Sequence, residues 1–254
     1  KIIIRSNLSP QGWESSPLKI KIFRFLLSKV DLVIVNSDDF NKEMKKNFGI
    51  SSTTIYNPIN NDEIRKLSSY KKKIKFFETK TINLISVGRL VLQKNQIEIL
   101  QALIKLKTLN KKFRLLILGY GPEKINLQNF INENKLKKIV KIIFVKNPYK
   151  YIKMSDVFIL SSKYEGLPNV LQEAAYLNKY IISSNCKTGP REIIQKYKYG
   201  ELYKLGNVIE LSSKLKKLNI KKLNSNNKKF SKNLKDFDYK INLKKYLIAI
   251  EKLI

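Results

Sequence analysis

Short apolar runs and longer amphipathic stretches alternate along this sequence, and few folds accept that pattern. The runs include Asp31-Leu-Val-Ile-Val35, Ile82-Asn-Leu-Ile-Ser-Val87, Phe113-Arg-Leu-Leu-Ile-Leu118, Val157-Phe-Ile-Leu160 and Tyr180-Ile-Ile-Ser183. They are too short for buried helices and apolar on both faces, as strands covered by helices on each side must be. The reading gives strands at 1–5, 31–36, 82–87, 113–118, 140–145, 157–161 and 180–183. Helices are expected at 16–29, 38–47, 94–110, 123–135, 148–154, from 168, and after Pro190, which suits a first helical turn. Strand and helix in strict succession predict an α/β fold, a Rossmann-like doubly wound parallel sheet.

The units are unevenly distributed. From residue 81 onward there are enough βα units to enclose a core; before it there are only about two. The chain also begins with Lys rather than Met and opens directly into Ile2-Ile-Ile4. Residues 1–56 therefore read as the remnant of an N-terminal domain whose beginning is missing. Residues 57–80, rich in Lys and Ser, read as a linker, entered through Ile55-Tyr-Asn-Pro-Ile59 where Pro58 keeps Asn57 extended. Residues 81–206 read as one complete Rossmann-like domain, and the Lys-rich 207–254 as a helical segment.

Composition removes several function classes. With no His and one Cys in 254 residues, His-based triads and the usual His-ligated metal sites are excluded, and no metal is expected. Cys186 cannot form an intrachain disulfide; it fits a reducing cytoplasm and reads as a small buried residue. The net charge of +31 invites a nucleic-acid reading. Yet the lysines are scattered, and Arg, the residue suited to phosphate forks and base edges, occurs only at positions 5, 24, 65, 89, 114 and 191. A basic solvated surface, with peripheral contact to anionic membrane, accounts for the charge better, and no nucleic-acid partner is expected.

The chemistry concentrates where the strand 157–161 gives way to a helix, in Glu165-Gly-Leu-Pro-Asn-Val-Leu-Gln-Glu173. In open α/β sheets ligands sit beyond the carboxyl ends of strands, and a helix start offers unpaired amides and a positive dipole end to a diphosphate. Gly166 allows close backbone approach, and Leu167, Pro168, Asn169 and Val170 form the helix entry. After the strand 82–87 come Gly88 and Arg89, whose planar fork suits a diphosphate, with Lys94 adding a point charge. Two glutamates eight apart mean little by themselves, since a capping and a surface Glu look the same.

The surroundings make the pattern specific. Glu165 through Glu173 resembles the signature of glycosyltransferase family 4, retaining enzymes of GT-B architecture with two Rossmann-like domains facing a cleft. Val87-Gly-Arg-Leu-Val-Leu-Gln-Lys-Asn95, Leu118-Gly-Tyr-Gly-Pro-Glu123 and Asn185-Cys-Lys-Thr-Gly-Pro-Arg-Glu192 resemble later loops of that family in order, and the likeness covers nearly all of 1–205. It implies that Arg89 and Lys94 meet the donor diphosphate, Glu165 the transferred sugar, and Glu173 the ribose hydroxyls, with Gly88 and Gly166 through Val170 lining the donor site. Catalytic roles fall to Glu165, Arg89 and Lys94. The resemblance implies no cofactor: the donor substrate is a nucleotide sugar, UDP-linked as is commonest, and the acceptor a glycan or polyprenyl-linked glycan. The family's Gly-rich acceptor-domain loop and its cleft histidine are missing, so the isolated chain is expected to bind donor weakly and transfer little. A sugar-nucleotide epimerase of the same fold is the rival enzyme reading, but it needs a histidine. Gly119, Gly121 and Pro122 read as turn-shaping; Pro190-Arg191-Glu192 reads equally as a helix cap or a phosphate loop; Trp13 and Tyr164 read as packing.

Overall fold

The computed structural model describes residues 1–7, 16–69, 74–107, 112–197, 200–219, 223 and 231–253; Trp13 lies outside them. The chain builds two parallel sheets. The smaller has the order β1 (Ile3–Ser6), β2 (Leu32–Val35), β3 (Thr53–Thr54), with Arg5 opposite Ile34 in the register. Two helices pack on it. α1 (Pro17–Leu27) is capped by Ser16, whose hydroxyl accepts from Lys19 N. α2 (Asp38–Glu43) is capped by Ser37, whose hydroxyl accepts from Phe40 N at 3.1 Å, and continues as a π turn over Met44–Phe48. Their buried residues Leu27, Phe40, Met44 and Phe48 close a small core with Val33 and Val35.

The larger sheet has six strands in the order β6 (Val140–Ile143), β5 (Phe113–Leu118), β4 (Ile82–Val87), β7 (Val157–Leu160), β8 (Tyr180–Ser184), β9 (Gly200–Tyr203), all parallel. Alternate strand residues serve different faces. Leu84, Leu115, Ile117 and Ile159 meet α4 (Gln96–Lys105), α5 (Lys124–Glu133) and α9 (Val208–Lys217). Ile85, Leu116, Phe158 and Ile181 meet α3 (Asn61–Ser68), α6 (Tyr149–Met154), α7 (Asn169–Tyr176) and α8 (Pro190–Tyr197). The sheet is thus covered on both sides, as its unbroken apolar strands require.

Several elements depart from the sequence reading. α3 stands inside the expected linker, with Asn60 accepting from Glu63 N and Ile64 buried. β9 was not expected. Its Gly200 and Glu201 mask any strand pattern, and its pairing with β8 is a long-range contact. The helix expected from residue 94 starts at Gln96, because Asn95 turns into the left-handed region at φ 50°. The last expected helical segment divides. α9 covers one face of the large sheet, a 3-10 turn (Ser231–Phe237) packs with α7 on its other face, and α10 (Tyr239–Glu251) goes on to the small sheet. The Phe237 ring meets Tyr56 edge-on at 5.1 Å, and the Arg5 guanidinium lies 5.7 Å over Tyr246. Among the described residues, no helix is long and apolar enough to cross a membrane.

The strand order carries the functional consequence. From β4 the chain winds outward through β5 and β6, then returns to β7 beside β4 and winds the other way through β8 and β9. The loops leaving β4 and β7 therefore part at a topological switch point, where α/β sheets hold ligands. The β4 and β5 exits are pressed together: Leu90 N donates to Tyr120 O at 2.8 Å, and a Cβ on Gly119 would stand 1.9 Å from Gly88 O. Gly119→Ala must push these two backbones apart, at about 1–3 kcal/mol. A circular-dichroism melt should show the midpoint lowered by roughly 2–10 °C; an unchanged midpoint would mean that this contact is slack.

Candidate functional site

Four hydrogen bonds join the β4–α4 loop to the β7–α7 loop across the switch point. Lys163 N donates to Gln93 O at 2.8 Å and Gln93 Nε2 to Tyr164 O at 2.8 Å. Ser161 Oγ donates to Lys94 O at 2.8 Å, and Lys94 Nζ to Glu165 Oε1 at 2.5 Å. The Lys94 and Glu165 side chains are only 16% and 7% exposed, so each charge is stable mainly because the other is there. The Lys94 stem lies over Gly88, its Cδ and Cε 3.6 Å from where a Cβ would be. The loop after β8 closes the third side: Thr188 Oγ1 donates to Glu165 O at 2.5 Å, and Gly189, at φ +85°, lies too close to Gly166 O for any side chain.

Arg89 stands apart. It is exposed, with its backbone carbonyl held by Gln96 Nε2 at 3.0 Å, and its guanidinium has no protein partner among the described residues. A free fork therefore stands on the same loop as the Lys94–Glu165 pair. Gly166, Leu167 and Pro168 are buried at the entry to α7, Asn169 is exposed and Val170 partly so. The Leu167 carbonyl accepts from Asn57 Nδ2 at 3.2 Å, and Asn169 Oδ1 accepts from the same nitrogen at 2.7 Å.

Glu173 has a partner of its own. Its carboxyl meets the Tyr149 hydroxyl at 3.4 Å, at the start of α6, so its structural partner is the β6–α6 connection rather than the Lys94–Glu165 pair. Burial pushes its pKa up to about 7, offset in part by Tyr149. The Tyr149 hydroxyl itself is raised to about 12, by burial first and then by Glu173. Glu192 reaches out of its own helix: Oε1 accepts from Asp39 N at the start of α2. Burial first, with Asp39 and Asp38 nearby, raises it to about 7. Cys186 is 2% exposed, and burial together with Glu165 lifts its thiol to about 12, which keeps it protonated and unreactive. Tyr164, read as a packing residue, is 39% exposed.

The small sheet contributes residues that the sequence reading did not single out as ligands. Asn7 O and Asn36 Nδ2 lie against Gly166, 1.9 and 3.0 Å from its would-be Cβ, and bond each other at 3.0 Å. Arg5 Nη2 donates to Asn57 Oδ1 at 2.6 Å, extending a polar chain from β1 through the linker to Asn169. These contacts join residues 29 to 112 positions apart. The only local hint was the extended Asn57-Pro58 step. A cavity of about 770 Å³ lies elsewhere, at the amino ends of β2 and β3, lined by Arg24, Phe48 and Ser51 among others. That is the end of the sheet where α/β ligands do not bind.

A parallel sheet with its switch-point crevice facing a second, smaller parallel sheet is the GT-B arrangement. The structure of Anabaena Alr3699/HepE in complex with UDP and glucose shows the same fold, at a TM-score of 0.82 and 16% identity, over 98% of this chain and 71% of that one. Residues 68–237 match the model of the family described as glycosyl transferases group 1, and the chain belongs to that family. An uncharacterized glycosyltransferase, MJ1059 of Methanocaldococcus jannaschii, is 32% identical over 70% of this chain and 46% of its own length. The N-acetylgalactosamine-N,N'-diacetylbacillosaminyl-diphospho-undecaprenol 4-alpha-N-acetylgalactosaminyltransferase of Campylobacter jejuni is 32% identical over 72% of this chain and 50% of its own. The chain thus spans about half the length of these relatives.

The raised Glu173 carboxyl makes a pH prediction. Its folded value of about 7 exceeds the ordinary 4.5, so the folded protein holds the proton more tightly than the unfolded one. The resulting stabilisation is complete below the ordinary value and falls away as pH rises to the folded one. Glu192 adds a change of the same sign. Glu173→Gln lacks the Glu173 contribution, so urea unfolding should show the variant gaining on the parent by about 2–3 kcal/mol between acid and weakly alkaline pH. Parallel stability curves for the two would contradict this environment for Glu173.

Proposed function

We propose that this chain is the donor-binding half of a retaining glycosyltransferase of family 4. Its donor is a UDP-linked sugar; a hexose or N-acetylhexosamine passes to a glycan or polyprenyl-linked glycan in cell-surface polysaccharide or glycoconjugate synthesis. The observation that carries the reading is the junction of the β4 and β7 loops. It carries Arg89, exposed and without a side-chain partner among the described residues, on the same loop as Lys94, whose ammonium is bonded to Glu165 just before α7. The HepE likeness, to a structure holding UDP and glucose, and the undecaprenol-linked acceptor in the name of the Campylobacter relative support donor and acceptor class respectively.

In this reading the bond between the anomeric carbon and the diphosphate breaks while one to an acceptor oxygen forms on the same face, and the acceptor hydroxyl's proton passes to the departing diphosphate. Charge grows on the departing diphosphate, where Arg89, Lys94 and the first-turn amides Asn169 and Val170 receive it. Gly88 lets the phosphates come close to backbone, while Gly166 lets Asn7 of the small sheet close on the same loop. Glu165, turned and held by Lys94, accepts from hydroxyls of the transferred sugar. Glu173 accepts from the ribose hydroxyls, which requires its charged form. No protein nucleophile is needed, and Cys186 stays protonated. The reaction is placed in the cytoplasm, at the inner face of the membrane.

Thermal melts test the donor assignment. Saturating UDP or a UDP-sugar should raise the midpoint by several degrees, since a ligand at about 100 times its Kd adds about 2.7 kcal/mol. Arg89→Ala, at an exposed position with no side-chain partner among the described residues, should keep the unliganded midpoint and lose most of the shift. The UDP shift should also grow from pH 6 to pH 8 on account of Glu173. A panel of UDP, GDP and their sugars giving no shift, or an Arg89→Ala shift equal to the parent's, would overturn the assignment.

A further inference from the structure

The segment from Lys187 to Glu192 leads from β8 into α8, and its residues are fastened alternately to two different parts of the molecule. Lys187 Nζ meets Glu43 Oε1 at 2.9 Å, at the last residue of α2. Thr188 Oγ1 donates to Glu165 O at 2.5 Å, and Gly189 lies against Gly166 O. Glu192 Oε1 then accepts from Asp39 N, at the start of α2. Both ends of this short strap are held by one helix of the small sheet, while its middle is held by the loop that carries Glu165. Arg191 takes no part, its guanidinium turned to Asn185 Oδ1 at 3.2 Å.

The two end fastenings carry more than surface contacts do. Glu43 is 8% exposed; a carboxylate so buried needs a cation, and Lys187 supplies one from the large sheet. Glu192 Oε2 and Asp39 Oδ2 are both buried without a hydrogen-bond partner among the described residues. The charged groups acting on Glu192 are Asp39 and Asp38, and Asp38 Oδ2 accepts from the Tyr56 hydroxyl at 2.8 Å. Burial first, offset by the Asp39 amide and reinforced by the two acids, lifts Glu192 from 4.5 to about 7. Away from α2 it regains its ordinary value. The contact is therefore at full strength below 4.5 and weakens as pH rises through about 7.

Glu165 is gripped at two points, its carboxylate by Lys94 and its backbone carbonyl by Thr188. A backbone shift at the second point redirects the side chain. We propose that the segment 187–192 couples the seating of the small sheet to the aim of Glu165, with Glu192 as a positioning residue that acts through Thr188 and the Lys187–Glu43 pair as the second fastening. The consequence for the transferred sugar rests on the donor reading; the mechanical coupling does not.

Amide exchange of the unliganded chain tests the coupling, on peptides covering 38–44 and 161–170, with variants compared at the same pH. At pH 6, Glu192→Ala should speed exchange in both peptides roughly threefold or more, and Thr188→Val in 161–170 alone. Glu192→Ala/Thr188→Val should exchange at 161–170 no faster than Thr188→Val does, because the two act along one route. Glu192→Gln keeps the oxygen and cannot ionise, so it should match the parent at pH 6 and be better protected at pH 8 in both peptides. In titrations, Glu192→Ala should weaken a UDP-sugar roughly threefold or more and leave UDP unchanged, because UDP brings no sugar to Glu165. The small sheet also touches Gly166 directly through Asn7 O, and additive effects in the double variant would assign the coupling to that contact and overturn the proposal. Parent-like exchange at 161–170 in Glu192→Ala, or equal losses for UDP and the UDP-sugar, would overturn it too. If the parent binds neither nucleotide, the donor assignment falls and the exchange data alone decide the coupling.

Discussion

Lys94 and Glu165 share a hydrogen bond 2.5 Å long with little water around it, and the crevice depends on that contact. Each residue sits on a loop that leaves the large sheet in its own direction, because β4 and β7 are neighbours from which the chain winds outward on opposite sides. Neither charge is stable alone at such burial. Together they hold the two loops in one position, helped by the exchange between Gln93 and the backbone at Lys163 and Tyr164. The pair also holds Glu165 in place before any ligand arrives, so a sugar hydroxyl would meet an acceptor that has already lost its rotational freedom.

The smaller sheet is bound into the same arrangement rather than merely tethered to it. Asn7 and Asn36 close on Gly166, Asn57 spans to Asn169, and Glu192 reaches from α8 to the first amides of α2. α10 returns from the far end of the chain to lay Tyr246 beneath Arg5. Polar contacts predominate between the sheets while apolar cores lie within each. Interfaces of that kind permit relative motion more readily than a shared core would.

Much of this was readable from residue order. Buried parallel strands need apolar residues on both faces, so 82–87, 113–118, 157–161 and 180–183 announced themselves, and with them the loops that must carry ligands. Gly88, Arg89, Lys94 and Glu165 could be picked out because their positions follow from local strand ends. Other features depend on contacts between distant residues. β9 is specified by its neighbour β8 more than by its own Gly200 and Glu201. The Asn57–Asn169 bond spans 112 positions. Glu173 was expected to look into the same crevice as Glu165; its partner in the structure is Tyr149, on a connection whose sequence carries no signal. The helix entry from Glu165 to Val170 was legible as a place. Which way each side chain leaves it was not.

Hydrogen exchange at the switch point tests the central claim most directly. Amide exchange followed by mass spectrometry, with and without UDP, reads peptides covering 88–95 and 161–170 separately. If the Lys94–Glu165 contact makes the two loops one cradle, UDP slows exchange in both together, and Lys94→Met removes the protection from both. Protection confined to one loop, or appearing instead around the cavity beside Phe48 and Ser51, would contradict the account.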